Sequence, residues 1–182
     1  MVQDVYMVSP NMGIFDEMDT GGGTLRAKIG DLAGDKPTLL LLQIAPPLLP
    51  TGVHDLADIT LTWHEVGATA DVSAQVKLAQ GFSDDANLLS QRDSQVQEYV
   101  DRFKVYRYER EAQRLQERGD IDAAREKLGA ATRELQRLGE SDLAKDLEEQ
   151  IASLGTGYAD PSRIKRIKAT TRKLGERVIP AG

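Results

Sequence analysis

Apolar and polar residues alternate through the first half of this chain and recur at three- and four-residue spacing through the second. A two-residue period is the mark of a half-buried strand, and a period near 3.6 is the mark of an amphipathic helix. Val2 to Val8 alternates weakly and stops at Ser9-Pro10-Asn11, and Gly13 to Met18 is a second short strand candidate. Gly21-Gly22-Gly23 reads as a turn, since glycine adopts positive φ without steric cost. Thr24 to Ile29 sets Leu25, Ala27 and Ile29 against Arg26 and Lys28. Gly30-Asp31 and Gly34-Asp35-Lys36-Pro37 frame the next connection. Thr38 to Ala45 is a continuous run of leucine and isoleucine broken only by Gln43, the pattern of a strand covered on both faces. Pro46-Pro47 ends it, because proline has no N–H for the ladder. Ala57 to Val66 alternates Ile59, Leu61 and Trp63 with Thr60, Thr62 and His64. Asp71 to Gln80 alternates Val72, Ala74, Val76 and Leu78 with Ser73, Gln75 and Lys77. With Gly67 to Ala70 as the turn, these two form a hairpin. Short strands at near-regular spacing with Gly/Pro turns predict an antiparallel β-sandwich over residues 1–81.

The period then changes. Gly81 to Asp93 is a polar link, and from Ser94 the pattern is helical. The first helix runs from Ser94 to Arg118, with Val96, Val100, Phe103, Tyr106, Arg110/Glu111 and Leu115 as an imperfect stripe. Gly119 ends it and Asp120 caps the next. The second carries Ile121, Ala124, Leu128, Ala131, Leu135 and Leu138 on one face and stops at Gly139. Ser141-Asp142 caps a third, with Leu143, Leu147, Ile151 and Leu154 facing one way, and Gly155 and Gly157 end it. Asp160-Pro161 starts a fourth that runs to Leu174 with Ile164, Ile167 and Thr171 on its apolar side. Short links make the first three helices antiparallel neighbours. The expected class is α+β, an antiparallel sandwich followed by a helical region over 94–178.

Composition narrows the chemistry. The 182 residues contain no cysteine, which excludes disulfides, thiolate zinc sites and a cysteine nucleophile and is compatible with a reducing cytoplasm. The apolar stretch Thr38 to Leu49 is too short, and too broken by Gln43, Pro46 and Pro47, to span a bilayer. The net charge of −6 is opposite to that of a typical nucleic-acid-binding domain.

Catalytic signatures are missing. His54 and His64 are the two histidines, and they fall on separate predicted elements. Asp16, Glu17 and Asp19 form an acidic cluster without the D-x-D-x-D-G arrangement of a calcium loop, so it reads as a solvated turn. There is no G-x-S-x-G elbow. Gly21-Gly22-Gly23-Thr24 lacks the lysine and the following helix of a phosphate loop. The expectation is a chain that is not an enzyme, with no metal, no cofactor and no small-molecule substrate.

Charge is concentrated at the C-terminal end. Ser162 to Arg177 holds Arg163, Lys165, Arg166, Lys168, Arg172, Lys173 and Arg177 against the single acid Glu176. The first six are the candidate partner-binding residues. In one reading they form a basic amphipathic helix for an acidic protein, a lipid surface or nucleic acid. In the other they are a solvated face paired internally with acids such as Asp142, Asp146, Glu148 and Glu149. The helix carries no stacking aromatic and no Trp or Phe for insertion, so nucleic acid and membrane are the less expected partners.

Two resemblances add to this. Tyr108, Ala112 and Leu115, then Gly119-Asp120, then Ala124, Leu128 and Ala131 resemble one tetratricopeptide-like hairpin. The whole chain resembles the C-terminal portion of bacterial von Willebrand factor A-domain proteins of the calcium-activated-chloride-channel-like type. The residues carrying the likeness are Gly30-Asp31-Leu32, Pro37, the Leu39 to Ile44 run with Pro46-Pro47, and the Ala57 to Val66 strand. It continues in the Gly119-Asp120 hairpin with Ala123, Ala124 and Leu128, and in Ile167 to Leu174. The resemblance implies a sandwich and helical tail that follow an A domain and contact it. The D-x-S-x-S metal motif of such a domain is not in this sequence: Asp71-Val72-Ser73-Ala74-Gln75 lacks the second serine. The opening strand, with no cap before it, is expected to continue a longer polypeptide. The function expected is a non-catalytic interaction or support module with an unidentified protein partner.

Overall fold

A computed structural model describes residues 2–15, 18–21, 23–34, 36–154 and 161–178. Its strands are β1 (Val2–Ser9), β2 (Gly13–Ile14), β3 (Met18–Gly21), β4 (Thr24–Ala27), β5 (Leu39–Ile44), β6 (Gly52–His64) and β7 (Asp71–Phe82). Its helices are α1 (Ala86–Ser90), α2 (Ser94–Glu117), α3 (Ile121–Arg137), α4 (Ser141–Ser153) and α5 (Pro161–Arg172), followed by a 3-10 turn, Leu174–Arg177. Strands precede helices, so the class is α+β as the sequence predicts.

The described strands form three small sheets: a three-stranded one of order β2-β1-β5, and two-stranded pairs β3-β4 and β6-β7. A sandwich of two facing sheets is not shown among them. One compact unit comprises 1–4, 19–26 and 42–92, and the other comprises 5–18, 27–41 and 93–182. The helical unit takes in the later residues of β1 and the first residues of β5, whose side chains belong to its core. Tyr6, Val8 and Met12 are buried there with residues of α2 to α5, and Leu39 and Leu41 pack against them.

That core follows from helix periodicity. Leu128 and Leu135 of α3, Leu147 of α4, Ile167 of α5 and Leu174 are all essentially inaccessible. Each side chain so buried contributes about 1.5–3 kcal/mol. Helix ends fall where turn chemistry requires. The Asp93 carboxylate accepts the Gln95 and Val96 amides at 2.8 and 3.0 Å, capping α2. Gly119, at φ +81°, and Gly139, at φ +77°, let the chain reverse between α2, α3 and α4. Asp120 caps α3 by accepting the Ala123 amide at 3.2 Å.

Several expectations are corrected. The N-cap of α4 is Glu140, not Ser141-Asp142, and its side chain makes no cap bond, being drawn instead to Arg102 and Arg177. The stripe of α2 is rotated: Val96 is 50% exposed, while Tyr99, Asp101, Arg102, Val105, Glu109 and Ala112 are buried with Phe103 and Tyr106. Leu39 to Leu42 of β5 are half-buried rather than covered on both faces. Gly13 to Met18 is not one strand, and the polar link contains α1, capped by Asp85. Asp35, Gly22 and the expected helix signals Gly155, Gly157 and Asp160 lie outside the described residues.

The other unit is a ribbon. β6 and β7 pair antiparallel over nearly their whole length, with a register shift between Asp55 and Ala57. Ile59 opposes Val76, Leu61 opposes Ala74 and Trp63 opposes Val72, while Asp58 opposes Lys77, Thr60 opposes Gln75 and His64 opposes Asp71. Directly opposed residues share a face. One face of the ribbon is therefore apolar and the other polar.

Candidate interaction surfaces

The basic helix α5 is anchored by Ile167 and Thr171, both buried, and by the Arg172 carbonyl, which accepts the Met12 amide at 2.7 Å. Its cations then point in different directions. Arg163 pairs with Glu149 at 2.7 Å and Arg166 with Asp146 at 2.5 Å, both on α4. Lys168 and Arg172 are the cations of α5 that act on Glu109 of α2, a carboxylate only 5% exposed. Burial raises the Glu109 pKa, and Lys168, Arg110 and Arg172 offset this in part. Lys165 and Lys173 are exposed. Of the six candidates, Arg163 and Arg166 pair with acids of α4, Lys168 and Arg172 act on Glu109, and four, Lys165, Arg166, Arg172 and Lys173, are exposed.

A second charged group joins four elements of the helical unit. Arg102 of α2 holds Glu98 at 2.9 Å and Glu140 at 2.7 Å, and Glu140 also meets Arg177 of the 3-10 turn. Next to it, Asp101 accepts from Lys104 at 2.8 Å and Arg137 of α3 at 2.7 Å. Burial opposes the charge on both acids, yet these cations outweigh it and hold Asp101 and Glu140 below the usual carboxylate range. Such a network fixes how helices sit on one another. The sequence hides it because Asp101 and Arg102 lie inside an apolar stripe read one position out of phase. The one signal is that Tyr99, Phe103 and Val105 bracket them closely in sequence.

An open groove of about 650 Å³ runs beside α2 and α3, lined by Tyr108, Arg125, Lys127, Gly129 and Arg133 among others. Its Arg125 pairs with Asp122 at 3.0 Å and its Lys127 with Glu111 at 3.0 Å.

The histidines are not on separate elements, as the pattern suggests, but at the two ends of β6. His64 is exposed and its Nδ1 lies 3.1 Å from the Asp71 carboxylate. His54 Nε2 lies 2.9 Å from the Pro50 carbonyl, and its ring meets Phe82 edge-on. In the acidic cluster, Asp16 and Glu17 lie outside the described residues, as does the side chain of Asp19. Among the described residues no three His, Asp or Glu gather as a metal site, and no helix is long and apolar enough to cross a membrane.

What the sequence pattern contains without revealing is the exposure of the ribbon's apolar face. Val76 is 60% and Leu61 36% exposed.

Comparison with known proteins fits this layout. Residues 94–177 match the family described as "Sll0103-like, C-terminal alpha-helical domain". A solved structure titled von Willebrand factor type A from Catenulispora acidiphila shares the fold over 95% of this chain, with a TM-score of 0.62 and 15% identity. The chain covers 43% of that protein's chain, less than half its length. No curated protein matches the sequence.

Proposed function

We propose that this chain is a non-catalytic support and protein-interaction module of a larger von Willebrand factor A-type protein, of the calcium-activated-chloride-channel-like kind. The observation that carries this reading is the fold match: it runs along nearly all of this chain but less than half of a chain titled von Willebrand factor type A. A helical unit whose elements are joined through Arg102, Glu140 and Arg177 suits a part that holds a neighbour in place. The same reading makes an A domain the first partner and assigns no cofactor or small-molecule substrate. Absence of cysteine fits a cytoplasmic setting.

The alternative, an anionic-surface binder working through α5, has less support. Arg163 and Arg166 already hold Glu149 and Asp146, so a phosphate at either arginine would compete with a carboxylate.

The test is to prepare the longer polypeptide with and without residues 1–182 and follow thermal unfolding of its A domain. A lower midpoint without the module supports the reading. An unchanged midpoint together with unchanged partner binding contradicts it.

A further inference from the structure

The unit formed by residues 1–4, 19–26 and 42–92 has no fully buried residue among those described. The buried core lies entirely in the other unit. A lone two-stranded ribbon is marginal in water, and strands survive when an apolar face is covered. The β6–β7 ribbon has such a face, with Ile59, Leu61 and Trp63 set against Val76, Ala74 and Val72, and none of the six is fully buried. Its reverse face is polar and exposed along the same stretch, from Asp58 and Lys77 to His64 and Asp71. Segregation this complete is what a strand pair shows when it is one layer of a sandwich.

We infer that the apolar face of β6–β7 is the docking site for β-strands contributed by the polypeptide outside residues 1–182, which complete a two-layer sandwich over Leu61 and Val76. This rests on the proposal that the chain is part of a larger A-type protein. Area decides against a second copy as the occupant. The apolar stretch, five residues on each strand, is about 17 Å long and two strands wide, roughly 170 Å² in plan. A stable interface between separate chains needs about 800 Å² per partner. A patch this small is held when the occupant is tethered, because the link supplies a high effective concentration. The matched solved protein has the additional length, since this chain accounts for 43% of it.

The experiment is the double substitution Leu61→Asp and Val76→Asp, made both in residues 1–182 and in the longer polypeptide, with thermal unfolding and hydrogen exchange of residues 52–82 as readouts. The expected result is a midpoint nearly unchanged in the short chain and lowered by several degrees in the long one. Amides of 52–82 should exchange more slowly in the unsubstituted long polypeptide than in the short chain. Equal, small effects in both overturn the inference, as they show a face that stays open. Equal, large effects also overturn it, as they show a face covered within residues 1–182. Self-association of the short chain that the substitutions abolish makes a second copy the occupant and overturns it too. Each of these leaves the support role standing, because that role is judged separately by the A domain's stability without the module.

Discussion

Gly175 lies so close to the backbone of Val8 that a Cβ on it would overlap the Val8 carbonyl. The 3-10 turn therefore seats on β1 backbone to backbone, next to the bond from the Met12 amide to the Arg172 carbonyl. Gly175→Ala is expected to push the turn off the strand and destabilise the chain by about 1–3 kcal/mol, the usual range of overpacking. Urea unfolding measures this, and a change under about 0.5 kcal/mol, as at an ordinary surface site, would contradict the close seating.

Gly129 gives the opposite expectation. It sits inside α3, and a Cβ there meets only the end of Arg133, at ordinary contact distance. Gly129→Ala should stabilise the chain by about 0.5–1 kcal/mol, through the lower helix propensity of glycine.

Arg102→Met removes the cation that joins α2 to Glu140. It should cost about 3 kcal/mol, the lower end for breaking a buried pair, since Glu140 keeps Arg177. The pH dependence follows from the lowered pKa values of Asp101 and Glu140. Their contribution is complete above the unfolded carboxylate pKa and is lost as pH falls through the folded values. A wild-type stability curve that did not fall on acidification, or one that Arg102→Met left unchanged in shape, would count against the network.

Glu109 runs the other way. Burial raises its pKa, so its ionised form opposes folding above the folded value and the penalty vanishes below the unfolded one. Glu109→Gln should therefore stabilise the chain at neutral pH, with a gain that shrinks on acidification. A loss of stability at neutral pH would mean that Lys168 and Arg172 need the carboxylate more than the core resists it.

These residues also show what the pattern of the chain makes legible. The helices after Ser94, the turns at Gly119 and Gly139, and the pairing of β6 with β7 are all readable, because local periodicity and turn chemistry decide them. The grouping of elements is not. Nothing local in Val2 to Val8 says that Tyr6 and Val8 complete a helical core, nor does the alternation in β6 and β7 say that Leu61 and Val76 stay exposed. The phase of α2 is misread because Asp101, Arg102 and Glu109 are polar residues inside the packed region, held there by charges from α3, α5, the N-terminus of α4 and the 3-10 turn. Arg163 and Arg166 are visible as basic residues, but their occupation by Glu149 and Asp146 requires knowing how α5 crosses α4.

The most direct measurement of the central claim is titration of residues 1–182 with the separately prepared A domain of the longer polypeptide, at low and at raised salt, followed by calorimetry. The expected result is saturable one-to-one binding that survives raised salt. No binding to the A domain, with salt-sensitive binding to anionic vesicles or nucleic acid in its place, would contradict it and return the function to the basic face of α5.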